Sequence, residues 1–254
     1  MSVSVFTEKM SESFIIPAAV IGTGLSFAFS VFTNIKYQQS KETMKKIEIP
    51  NFKPDYHLRR EVQKSANKRM YVAVEGKVEP LAEALKSKFV PGCYGVIQKV
   101  TSREQQDPKP AEVPFRLVAE NTDVSNVWVR VKSPLEAKGD YLQEVHRGVE
   151  QMDNDGSTSA SGQKMREEML CVKSVITGIG DVVMEQGSDE RMVLECPIDG
   201  REFFLFSGGY DSVKKRHKQK CMSLKVMSIT GALTGCSILG TLIYNTLKTE
   251  EKRK

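Results

Sequence analysis

VMSITGALTGCSILGTLIYNTL, residues 226–247, runs without a charged side chain between Lys225 and Lys248. At ~1.5 Å of rise per residue, a helix of this length crosses a hydrocarbon core of ~30 Å. Tyr244 and Asn245 suit an interfacial end. A second uncharged stretch, FIIPAAVIGTGLSFAFSVFTNI, occupies residues 14–35. Glu8, Lys9 and Glu12 precede it, its apolar run is longer than that of a secretory signal, and no small-x-small site ends it, so it reads as an uncleaved span. The expected fold class is a membrane protein in which two transmembrane α-helices flank a mainly β soluble domain.

The chain then divides into a short tail (1–13), a first span (14–35), a polar connector (36–69), a β-rich domain (70–213), a basic juxtamembrane segment (214–225), a second span (226–247) and a short tail (248–254). The formal charge of +5 sits beside the apolar stretches, on Lys36, Lys41, Lys45 and Lys46 and again from Lys214 to Lys225. Charges placed there meet anionic lipid head groups, so membrane lipids are the expected partner and nucleic acid is not. Small residues recur at helical spacing, Ala18, Gly22 and Ser26 in the first span and Gly231 with Gly235 in the second. Such stripes let helices approach closely in lipid, either with each other or with a second copy of the chain.

In the connector, Pro50 and Pro54 break any long helix, and HLRREVQKSANKR allows one or two amphipathic turns. From Tyr71 the pattern changes to short β-branched runs: YVAVEGKV, FVPGCYGVIQKV, VPFRLVAE, NVWVRVK, CVKSVITGIGDVVME, RMVLECP and EFFLFSG. Turn signals separate them, and the spacing predicts an antiparallel sandwich or barrel. Within CVKSVITGIGDVVME, the GIGD at 178–181 reads as a turn between two strands. In NVWVRVK, Val127, Val129 and Val131 share one face while Trp128, Arg130 and Lys132 share the other. An aromatic ring among charges marks Trp128 as a candidate partner contact, with packing in a second layer as the plainer reading.

Catalytic and metal chemistry find little support. His57, His146 and His217 lie far apart with no zinc-ligand spacing. There is no Gly-x-Ser-x-Gly elbow and no phosphate loop. Asp153 and Asp155, in the small polar stretch 152–164, lack the other ligands of a calcium loop. The five cysteines, Cys93, Cys171, Cys196, Cys221 and Cys236, are odd in number and irregularly spaced, so no disulfide framework is read and each counts as a small hydrophobe. No catalytic, cofactor or metal residue is assigned.

VEGKVEPLAEALKSKFVPGCYGVIQKV (74–100), VPFRLVAE (113–120) and EEMLCVKSVITGIGDVVME (167–185), followed by Tyr210-Asp211-Ser212 and a basic run before the second span, resemble the mitochondrial ubiquitin ligase family known as MULAN, MAPL or GIDE. The segment around Gly76 and Lys77 is the most specific part. The resemblance implies an outer mitochondrial membrane location, a GIDE-type middle domain in the intermembrane space, cytosolic termini, and a role in protein ubiquitination and mitochondrial organisation. Lysine bias alone would place the middle domain in the cytosol instead. Family members also carry a C-terminal RING whose zinc ligands have no counterpart in residues 248–254, so no catalytic residue is carried over. The expectation is a RING-less interaction or modulatory form, acting as a homo-oligomer or a mixed oligomer with a full-length relative. The alternatives are a fragment or splice form of an active ligase, or a non-enzymatic membrane scaffold of the mitochondrion or peroxisome.

Overall fold

The computed structural model describes residues 3–102, 109–120, 127–150, 163–185 and 191–251. In chain order it holds α1 (Val3–Ile47), β1 (Asn51–Phe52), α2 (Tyr56–Lys64), β2 (Arg69–Pro80), β3 (Leu85–Lys86), β4 (Tyr94–Ser102), β5 (Ala111–Glu112), β6 (Phe115–Val118), β7 (Trp128–Val131), β8 (Gln143–Glu150), β9 (Gln163–Cys171), β10 (Val175–Met184), β11 (Met192–Glu195), β12 (Phe204–Ser207) and α3 (Tyr210–Glu251). These form two units, a helical one (residues 1–45 with 215–254) and a β unit (residues 46–214).

The expectation of two flanking spans is corrected here. Among the described residues one helix, Tyr210–Lys248 within α3, is long and apolar enough to cross a membrane. Residues 14–19 of the other expected span lie outside the described side chains. Its remainder, Val20–Ile35, falls short of the ~20 apolar residues a hydrocarbon core requires before Lys36 follows. Within the helical unit, α1 runs antiparallel to α3. The Ser30 hydroxyl donates to the Ser228 carbonyl at 2.8 Å, and Ser40 Oγ lies 3.1 Å from Cys221 Sγ.

The β unit is built on a closed ring. β2 pairs with β6, β6 with β7, β7 with β11, β11 with β10, and β10 returns to β2; every pairing is antiparallel except β7–β11. A barrel results, with the Greek-key connectivity of a small five-stranded fold. The closure depends on β2, whose twelve residues face β10 from Arg69 to Lys77 and β6 from Lys77 to Pro80. Closing the sheet removes the free edges that a flat five-stranded sheet would expose.

Alternation fills the barrel as the pattern in NVWVRVK implied: Val129 and Val131 are buried with Val72, Val74, Val78, Leu117, Val182 and Leu194, while Arg130 is exposed. α2 adds Leu58 and Val62 to the same core. Its first turn is held by Asp55, whose side chain accepts from the Leu58 N–H at 2.9 Å. A smaller cluster joins Ile47, Ala73, Ile179, Phe204, Phe206, Tyr210 and Val213. Tyr210 fastens it twice, donating its hydroxyl to the carbonyls of Ile47 and Ile49 (3.1 and 2.9 Å), while its N–H donates to Glu75 at 2.9 Å. Tyr210→Phe strands the Ile49 carbonyl, while the Ile47 carbonyl keeps the Ile49 N–H at 2.9 Å, and chemical denaturation should show a loss of about 1–2 kcal/mol.

GIGD is not a turn. β10 continues through residues 175–184, and Gly178 and Gly180 are places where neighbours press on the strand. A Cβ on Gly178 would overlap the Leu194 side chain, and one on Gly180 would stand 2.8 Å from the Glu195 carbonyl oxygen. Glycine in a strand marks this kind of close approach as often as a break.

A second sheet, ordered β3–β4–β9–β8 with β5 on β4, grows from the excursions between β2 and β6 and between β7 and β10. Charges line it: Arg166 on β9 pairs across to Glu144 on β8 at 2.7 Å and along its own strand with Glu168 at 2.7 Å. The stretch around Asp153 and Asp155 lies outside the described residues.

Candidate functional site

The outer faces of β6 and β7 hold the most distinctive surface chemistry of the β unit. Register sets Arg116 opposite Arg130 and Trp128 opposite Val118. Two like charges directly opposed on antiparallel strands repel, so each needs an anion nearby. Arg116 has one, because its guanidinium meets Glu79 at 3.0 Å. Arg130 is exposed and has no ion pair among the described residues.

Trp128, half-buried, lies two residues before Arg130 on the same face of β7. The guanidinium carbons of Arg116 and Arg191 stand 5.4 and 5.8 Å from its ring centre. Cations at this range are drawn to the indole π face and held in a defined orientation. Leu81, Pro114, Trp128, Arg130 and Arg191 together line an open depression of about 390 Å³. Leu81 is 41% exposed, an apolar patch beside guanidinium donors. Such a surface suits a ligand that offers both a carboxylate and an aliphatic side chain.

Trp128 was marked by the sequence; Arg191, Leu81 and Pro114 were not. They reach the depression from β-strand ends far apart in the chain, and no local pattern signals that convergence.

The small residues of the helices occupy one seam of the helical unit. A Cβ on Gly231 would stand 3.2 Å from the Phe29 ring and 3.4 Å from the Ser26 carbonyl oxygen, and one on Gly235 would stand 3.2 Å from Phe27. Gly22 has Ile238 at 3.9 Å from the corresponding point. Ala18 lies outside the described side chains. Gly231, Ser26, Leu25, Phe29, Thr230 and Thr234 also border a shallow depression of about 400 Å³.

Among the described residues no three His, Cys, Asp or Glu groups come together as metal ligands. His57 stacks on Phe52 and His146 on Phe89, with ring centres 5.5 and 4.6 Å apart. Two charged groups are instead buried for structural ends. Asp181 receives the Arg69 guanidinium at 2.8 Å, and Arg69 also reaches Glu195 at 2.8 Å. The hydrogen bond that Arg69 donates to Asp181 raises the Arg69 pKa above its usual range. Glu167, fully buried on β9, accepts from Ser87 Oγ at 2.5 Å, the Lys88 N–H at 2.9 Å and Gln98 Nε2 at 2.5 Å. Burial pushes its pKa up, but these donors outweigh that effect and hold it below the usual carboxylate value.

No family model and no solved structure matches the chain. Curated relatives do. It is 29% identical to the zebrafish (Danio rerio) protein named mitochondrial ubiquitin ligase activator of nfkb 1-A, over 89% of this chain and 73% of that one. It is 28% identical to the proteins of that name, without the suffix, from Xenopus laevis and Homo sapiens, over 66% of this chain and 54% of each of those. The chain thus spans about half the length of the frog and human proteins.

Proposed function

We propose that this chain, a relative of the MULAN/MAPL family of mitochondrial ubiquitin ligase activators, is a mitochondrial membrane protein whose β barrel recruits an acidic segment of a protein partner for ubiquitin conjugation. Its membrane is the outer mitochondrial one, and α3 is its anchor. Recruitment of this kind needs no catalytic group on the barrel: holding a target near a ligase raises its effective concentration there. The seam of Gly22, Ser26, Gly231 and Gly235 serves helix packing, within one chain or with a second copy.

The observation that carries the reading is the depression around Trp128, where Arg130 stands opposite Arg116 with no anion of its own among the described residues. An acidic peptide supplies the missing charge, while Leu81 and Pro114 take an aliphatic side chain. Nucleic acid fits less well, because stacking platforms use successive aromatic rings, and Trp128 is the chain's one tryptophan, already faced by guanidinium groups.

That single tryptophan makes the test direct. The full chain in mild detergent is titrated with a Glu- and Leu-containing peptide, the same peptide with Lys for Glu, and a single-stranded oligonucleotide, following indole emission. The acidic peptide should bind and shift the emission, and Arg130→Glu should weaken it about tenfold or more. Binding should also fall as salt rises. Equal binding of the Lys peptide, preference for the oligonucleotide, or an unchanged affinity in Arg130→Glu overturns the reading.

A further inference from the structure

Cys93 and Cys171 are 78 residues apart in the chain, yet their Sγ atoms lie 4.0 Å from each other. The fold brings them together through the β4–β9 ladder. Gly95, two residues after Cys93, is the register partner of Cys171, and the Val172 N–H donates to the Tyr94 carbonyl at 2.9 Å. Both thiols are half-buried, and neither has a metal-ligating cluster around it among the described residues.

We propose that Cys93 and Cys171 are a redox-responsive dithiol that closes to an intramolecular disulfide, fastening the turn before β4 to the end of β9. Closure requires the sulfurs to approach from 4.0 Å to a bond of ~2.0 Å. The turn can supply that movement. Cys93 follows Gly92, which sits at φ +75° with open space around it, and the Cys93 N–H donates to the Val90 carbonyl at a long 3.3 Å.

The oxidant is an external disulfide of the glutathione class. In the first step the Cys93 sulfur bonds to one sulfur of that disulfide; its S–S bond breaks, and the other half leaves as a thiol with the Cys93 proton. In the second step the Cys171 sulfur displaces the remaining half from Cys93, which leaves as a second thiol with the Cys171 proton. Two protein thiols are oxidised, and one external disulfide is reduced to two thiols. The order follows from the environment: burial, then the neighbouring Cys93, pushes the Cys171 thiol up to about 11, so its thiolate is scarce at neutral pH and Cys93 attacks first.

The experiment equilibrates the full chain in mild detergent with a glutathione redox buffer, then blocks free thiols and maps peptides by mass. The expected product is a reducible cross-link between the peptides holding Cys93 and Cys171, two hydrogens lighter than the separate pair. Its formation should raise the thermal midpoint by about 5 °C or more, with no rise in Cys93→Ser or Cys171→Ser. Cys171→Ser should instead accumulate one glutathione on Cys93. Exposed Cys196 reports that the oxidant has acted. If Cys196 is glutathionylated while Cys93 and Cys171 both stay open to alkylation, or if each takes up glutathione without linking, the dithiol assignment is wrong.

Discussion

A Gly76→Val chain should lose about 3 kcal/mol of stability and unfold roughly 6–12 °C below the wild type. Gly76 lies in the stretch of β2 that leaves β1 and begins to pair with β6, the turnover that closes the ring. A single Cβ there would stand 2.9 Å from Leu117 Cβ, 3.0 Å from the Val118 carbonyl oxygen and 3.2 Å from Pro54 Cγ. Two of these atoms are backbone or fixed directly to it, so they cannot swing away as the end of a long side chain would. Valine adds two methyl groups to that overlap, and β2 and β6 must separate. Gly92→Ala is the control, since its φ of +75° is the obstacle and the surrounding space is open; it should cost about 1 kcal/mol. Paired thermal melts decide the matter. Should Gly76→Val melt no lower than Gly92→Ala, the seam is looser than its geometry implies.

Much of the barrel could be read from alternation. β6, β7, β11 and β12 stand where short apolar runs lie; in β7 a buried inner face and a wet outer face impose a period of two, whereas β11 and β12 bury three successive residues on both faces. β8 and β9 escaped that reading. QEVHRGVE and QKMREEMLC carry charges on both faces, and Arg166 reaches across from one to Glu144 on the other. GIGD misled for a related reason: glycine signals a turn or a close neighbour equally well, and the neighbours, Leu194 and Glu195, are supplied by β11. Counting apolar residues placed a span at residues 14–35, whereas among the described residues only α3 has the length and composition of one. The candidate site was half legible. Trp128 declares itself as a large ring on a charged face. Arg191, and the meeting of Cys93 with Cys171, depend on register between distant strands, which no local pattern encodes.

Glu167→Gln should destabilise the chain by about 2 kcal/mol at neutral pH and should also flatten its response to acid. Glu167 holds the turn before β4 from β9, accepting from a hydroxyl, an amide N–H and the Gln98 amide group in a place with no access to water. Its folded pKa is lowered from 4.5. The stabilisation is therefore complete above the unfolded value and is lost as pH falls through the folded one. Wild-type stability should decline below about pH 4.5 more steeply than that of Glu167→Gln, which has no proton to gain at this position. The glutamine can turn its one oxygen toward the Lys88 N–H and Gln98, where it is a weaker, neutral acceptor, but then sets an NH2 group against the Ser87 hydroxyl, whose proton loses its acceptor. Hydrogen exchange can localise the effect: the Lys88 N–H should exchange faster in the variant, while the amides of β10, whose ladders to β2 and β11 lie away from Glu167, should keep their protection relative to global unfolding. Parallel acid-dependent slopes for the two chains would show that the carboxylate is not what ties the turn to β9.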